Sequence, residues 1–135
     1  MHYIDTDVLV HSLIKQNPAL HTQVKTLLNK FVSGGNLSIS WLSVQEAAFV
    51  LGKLNQPSRS TTSHIDFLTQ LNPIEYNLPE FKRATELAGI IGYRNFSDCL
   101  HVAIAEQHCT DLYTCNIKDF RRLQPHTVLK IHFIQ

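Results

Sequence analysis

The stretch HYIDTDVLVHSL, residues 2–13, decides the fold, because a short apolar run turns into a helical pattern across two aspartates. His2–Ile4 reads as a buried strand. Val8, Leu9 and Ile14 share one broad helical face, so a strand passes directly into a helix. One carboxylate at such a junction can cap the helix by accepting from free backbone N–H groups of the first turn. Two, at Asp5 and Asp7, point instead to a cation or a phosphoryl group.

The unit repeats along the chain. Pro18 suits the start of a second helix in which Val24, Leu27, Leu28 and Phe31 recur at three- and four-residue spacing until Gly34-Gly35. LSIS (37–40) reads as a strand and WLSVQEAAFVLGK (41–53) as an apolar helix. QPSRSTT (56–62) reads as loop, HIDFLTQL (64–71) as helix, PIEYN (73–77) as a third strand and LPEFKRATELAGIIG (78–92) as helix. GYRNF (92–96) is a polar loop before the helix SDCLHVAIAEQH (97–108). DLYT (111–114) and VLKIHFI (128–134) close the pattern as strands flanking the short segment NIKDFRRL (116–123). Strands alternating with crossover helices predict an α/β fold with a mainly parallel sheet, as one domain over 1–135.

Composition narrows the function. The chain has 135 residues, 44% hydrophobic and 17% charged, with no apolar run long enough for a membrane span. Asp5 and Asp7 stand where a signal peptide would be apolar, so a cytoplasmic protein is expected. Three cysteines (Cys99, Cys109, Cys115) argue for reduced thiols, and CLHVAIAEQHC lacks the paired short spacings of structural zinc. A net charge of +1 does not demand nucleic acid, so any basic surface must be local: Arg94 beside Asp98, Lys82 with Arg83, and Lys118 with Arg121 and Arg122.

Each acid has a structural role available to it. Ser43-Val-Gln-Glu46 fits a capping box, Asp98 suits the first turn of its helix, and Asn116 suits a cap with Asp119 three residues on. Their joint placement weighs more. In an open parallel sheet all strand-to-helix junctions share one edge, where ligands bind, and Asp5, Glu46, Asp98 and Asp119 all fall at such junctions. Two unit charges about 4 Å apart cost on the order of 4 kcal/mol at an effective dielectric of 20. A divalent cation relieves that repulsion, and Mg²⁺ or Mn²⁺ favours oxygen donors.

IDTDVLV, SVQEAAFVL, FSDCLHVAIA and TCNIKDF, in this order and spacing, resemble the successive motifs of PIN-domain ribonucleases, particularly VapC-like toxins. The resemblance implies a three-layer α/β/α fold with a five-stranded sheet in the order 3-2-1-4-5. It also implies Mg²⁺- or Mn²⁺-dependent hydrolysis of RNA, with Asp5, Glu46 and Asp98 as metal ligands and Asp119 or Asn116 as the fourth polar position. Asp7, Thr114 and Asn116 take supporting places by the same likeness, and Arg94, His101 and Lys118 are candidates for substrate contact. His101 departs from the family's usual ligands; one helical turn after Asp98, it reads as a histidine packed near the surface, or else one touching substrate phosphate or a supporting carboxylate.

VapC-like toxins pair with a small antitoxin that covers the groove, often with an arginine among the acids, and form homodimers. Leu13, Leu27, Leu28 and Phe31 could supply partner contacts or ordinary core. Two other functions stay open: a haloacid-dehalogenase-type phosphatase with Asp5 as nucleophile and Asp7 as acid/base, because IDTDV resembles its motif, and a PIN-like module that binds RNA or protein without cutting.

Overall fold

The computed structural model describes residues 1–135. Strand β1 (His2–Ile4) leads at once into α1 (Thr6–Leu13), and α2 (Pro18–Ser33) returns to β2 (Leu37–Ser38). Helices α3 (Trp41–Lys53), α4 (Ser58–Thr69), α5 (Leu78–Ile91) and α6 (Phe96–His108) follow. Strand β3 (Asp111–Thr114), the short α7 (Ile117–Leu123) and β4 (Lys130–Phe133) complete the chain.

All strand pairs are parallel, in the order β2-β1-β3-β4. Tyr3 sits beside Ser38 on one side and Leu112 on the other, which puts β1 in the middle of the sheet. Side chains alternate across the strand, so Tyr3 and Ile4 enter different cores. Tyr3 joins Leu112 and Ile131 against Ala84, Leu87, Val102 and Ile104 of α5 and α6. Ile4 joins Val8, Leu9, Val24, Ala47 and Leu51 of α1, α2 and α3 on the opposite face. Each such aliphatic side chain taken from water contributes roughly 1.5–3 kcal/mol, so the two layers of helices are fixed by the alternation of a three-residue strand.

The sheet has four strands, which corrects the expectation of five. PIEYN contributes only a single parallel bridge, between Ile74 and Ser40. Ile74 N–H donates to Ile39 at 2.8 Å and its carbonyl accepts from Trp41 N–H at 3.1 Å. Pro73 has no N–H to extend the ladder, and Asn72 before it is held at a φ of 53°. Downstream, Asn77 already caps α5, its backbone N–H donating to Glu80 at 3.0 Å. The remaining strands keep the expected relative order.

Helix α4 begins at Ser58, six residues before the expected start at His64. The Ser/Thr-rich run is helical because the helix packs Ile65 and Leu68 against the core, while the Ser60 and Ser63 hydroxyls turn back onto the Pro57 and Arg59 carbonyls at 3.0 and 3.2 Å. No helix is long and apolar enough to cross a membrane.

Candidate active site

Asp5 is the first residue past β1 and the N-cap of α1, with one carboxylate oxygen accepting from Thr6 N–H at 2.8 Å. Its other oxygen accepts from the Thr114 hydroxyl at 2.7 Å, at the end of the neighbouring strand β3. That hydroxyl in turn accepts from Asn116 N–H at 3.0 Å. Asp5 is only 5% exposed. Asp7, in the first turn of α1, accepts from Cys115 N–H at 3.2 Å and so ties the same two strand ends together.

Glu46 is not part of a capping box, contrary to the sequence pattern. The box lies one turn earlier: Ser40 is the N-cap, its hydroxyl oxygen accepting from Ser43 N–H at 3.2 Å. Freed from that duty, Glu46 reaches the site, where one oxygen accepts from the Thr6 hydroxyl at 2.7 Å and contacts His101 Nε2 at 2.5 Å. Asp98 occupies the first turn of α6, with Asn95 Nδ2 3.5 Å away. Asn116 caps α7 as expected; its side chain accepts from Asp119 N–H at 3.3 Å and donates to the Asp119 carboxylate at 3.0 Å.

His101 overturns the surface reading, being 1% exposed. Its Nδ1 lies 2.7 Å from the Tyr3 hydroxyl, which is itself 2.7 Å from Ser40 Oγ. Nε2 is 3.6 Å from Asp5 as well as bonded to Glu46. The ring therefore supports carboxylates and is not placed to meet a substrate phosphate. This Ser40–Tyr3–His101–Glu46 chain was not legible as a whole: His101 lies at helical spacing from Asp98, but nothing in the sequence announces that Tyr3 or Thr6 faces it.

A cleft of about 360 Å³ opens over these groups, lined by Asp5, Asp7, Glu46, Asp98 and Asn116 and walled by Val10, His11, Gln16, Phe49 and Val50. Thr114 and Asp119 stand behind this lining, Thr114 buried beneath Asp5 and Asp119 behind Asn116. Arg94 and Lys118 are exposed outside the lining.

The electrostatics follow from packing so many acids together. Burial pushes the Asp5 carboxyl up to about 6, with the charge of Asp7 adding to the rise and that of His101 opposing it. Burial, followed by the charge of Asp5, pushes Asp98 up to about 7. Burial also raises Asp7. For Glu46 burial acts upward, but the hydrogen bonds and charge of His101 and the Thr6 hydroxyl outweigh it, and its carboxyl is lowered. Burial opposes charge on His101, yet Tyr3, Glu46 and Asp5 together raise it well above its ordinary value.

No three Asp, Glu, His or Cys side chains are drawn together as a ready-made metal cluster. The donor set nevertheless fits a hard divalent cation: Asp5, Glu46, Asp98 and Asn116, all oxygen-bearing side chains, line one cleft, and burial holds the Asp5 and Asp98 carboxyls up to about 6 and about 7.

Stability should carry this signature. Ordinary unfolded Asp titrates near 3.9, so folded Asp5 and Asp98, raised to about 6 and about 7, favour the protonated native state. Their contribution is complete below about pH 4 and is lost as pH rises through 6 and 7. The melting temperature in EDTA is expected to fall from pH 5 to pH 8, and Mn²⁺ to restore it at pH 8. A metal-free protein equally stable at both pH values would contradict the repulsion.

Parallel strands that carry Asp5 and Thr114 at their ends, with Glu46 and Asp98 brought from two helices to the same place, frame the site. The PIN domain family model matches residues 2–124, and the chain belongs to that family, whose members are generally nucleases using divalent metal ions. Among solved structures, that of VapBC2 from Rickettsia felis bound to a DNA fragment from their promoter is similar at 21% identity and a TM-score of 0.71, covering 100% of both chains. FitAcB from Neisseria gonorrhoeae is similar at 16% identity and a TM-score of 0.68, covering 99% of this chain and 97% of that one. No individual curated protein matches the sequence.

Proposed function

We propose that this chain is a metal-dependent endoribonuclease acting in the cytoplasm as a single domain over 1–135, and the toxin of a toxin–antitoxin pair. The observation that carries the reading is the ring of acids from three helices, Asp5 and Asp7 at the start of α1, Glu46 of α3 and Asp98 of α6, lining one cleft. In this reading Asp5, Glu46 and Asp98 hold Mg²⁺ or Mn²⁺, and Asn116 with Asp119 completes the polar ring. The bound ion supplies an activated water and offsets charge on the phosphate.

The chain's own residues do the positioning. Thr114 and Thr6 N–H fix both oxygens of Asp5, and His101 with Thr6 fixes one oxygen of Glu46. Asp98 is the least constrained of the three acids, its one side-chain contact being the 3.5 Å approach of Asn95. It is therefore the acid freest to adjust to an ion and a phosphate. Lys118 and Arg94, outside the cleft, are suited to more distant phosphates.

The phosphatase reading fits less well. It leaves Glu46 without a role, whereas Glu46 lines the same cleft as Asp5 and Asp98. A non-catalytic binding module has no use for the acids' mutual repulsion; it should leave RNA intact at every metal concentration.

The toxin reading draws on the likeness to VapBC2 and FitAcB and on a second groove. Between α1, α2 and α4 lies an apolar groove of about 470 Å³ lined by Leu9, Leu13, Leu28, Phe67 and Leu71, with Lys15 and Lys25 at its edge. It suits an amphipathic antitoxin helix with acidic flanks. Phe31 belongs to the core instead, and Leu27 packs at its margin. An antitoxin arginine placed among the acids would satisfy them by bidentate hydrogen bonds in the absence of metal. Homodimer formation belongs to the same reading. Co-expression tests it: the neighbouring small reading frame should co-purify and silence the nuclease. An isolated chain that is harmless to its host and binds no such product would remove the toxin and keep the nuclease.

A further inference from the structure

Phe49 is 68% exposed although it sits in the most apolar helix of the chain. It lies three residues after Glu46, hence on the same face of α3, and lines the acid cleft beside Asp5 and Asp98. One turn further on, Lys53 holds its ammonium nitrogen 5.7 Å from the centre of the Phe49 ring. Carboxylate, exposed aromatic ring and an ammonium that lies over one face of that ring thus follow one another over about 10 Å of helix, a span comparable to one or two nucleotides of an extended strand.

We propose that Phe49 is a stacking platform for an unpaired base of the RNA substrate next to the phosphate held at the acids, with Lys53 as counter-charge for the following phosphate. The inference rests on the ribonuclease reading above. A flat base suits this place because its faces can cover the ring while its edges stay hydrated or meet His11 and Gln16, which line the same cleft. An apolar protein segment has a better seat in the continuous groove between α1, α2 and α4. At Phe49 it would find one ring with Val10 and Val50, bounded by carboxylates and an ammonium. Stacking tolerates any base, since all present a π face, so Phe49 contributes affinity and registers the strand, leaving sequence preference to groups at the base edges.

The test uses the full chain carrying Asp98→Asn, so that RNA is bound without being cut, and radiolabelled total small RNA in a filter-binding titration. Phe49→Ala is expected to weaken binding about ten-fold or more, the equivalent of one lost base stack; being exposed, the position allows the change without unfolding. Lys53→Ala should weaken binding less and lower the salt dependence by about one phosphate contact. Phe49→Trp in a Trp41→Phe background should keep the affinity, and its emission should be quenched by RNA. Equal affinity of Phe49→Ala, or an unquenched Trp at 49 with RNA bound, overturns the inference and leaves the nuclease standing. Loss of a co-purified protein partner with unchanged RNA binding overturns it in favour of a protein contact. Failure of the unsubstituted chain both to bind and to cleave the same RNA in Mg²⁺ or Mn²⁺ removes the ribonuclease reading itself.

Discussion

Asp98→Asn is expected to abolish RNA cleavage while making the metal-free protein more stable at pH 8. The two effects have one cause. Asp98 is held up to about 7 by burial and by the charge of Asp5, so its ionised form strains the native state above that pH, and a neutral amide of the same shape removes the strain. In the ribonuclease reading the same charge is what a cation would bind. A unit-charge contact at 4 Å in an effective dielectric of 20 is worth about 4 kcal/mol, which corresponds to about 10³-fold in rate. Mapped cleavage of RNA and melting temperature in EDTA read the two arms separately. A variant that melts lower than the parent, or that still cuts at a comparable rate, would show that Asp98 is an ordinary first-turn residue.

The second large effect is expected from His101→Ala, a loss of stability on the order of 3 kcal/mol. The change opens a cavity between α6 and β1 and strips a partner from the Tyr3 hydroxyl and from Glu46 at once. Tyr3→Phe removes only the hydroxyl and should cost about 1 kcal/mol, since Thr6 still holds Glu46. Urea unfolding of both variants at one pH measures the difference. Equal, negligible losses would mean that the buried chain from Ser40 to Glu46 does not hold the site together.

Much of this site was visible in the sequence because strand ends and helix starts are local signals. HYI followed at once by a helical pattern placed Asp5 at the sheet edge, DLYT followed by NIKDF placed Asn116 and Asp119 there too, and the family resemblance added Thr114. The parallel sheet brought them together, as it does for any such junctions. What stayed hidden needed tertiary information. PIEYN looks like a strand by residue type, but Pro73 and the cap at Asn77 leave only Ile74 to bridge. The pattern Ser43-x-x-Glu46 is a sound capping signature, yet Ser40 three residues earlier takes the role, and Glu46 is released to the cleft. His101 could be assigned to the face of Asp98, but its burial depends on Tyr3 coming from the opposite end of the chain.

Whether these acids hold a divalent ion that cuts RNA is read from the cleavage products. Purified protein is incubated with total cellular RNA in Mg²⁺, in Mn²⁺ and in EDTA, and the new ends are mapped. Discrete cleavage sites are expected in either metal, none in EDTA, and none for Asp5→Asn in any condition. The same ends appearing in EDTA, or from the Asp5→Asn variant, would contradict this role of the acids.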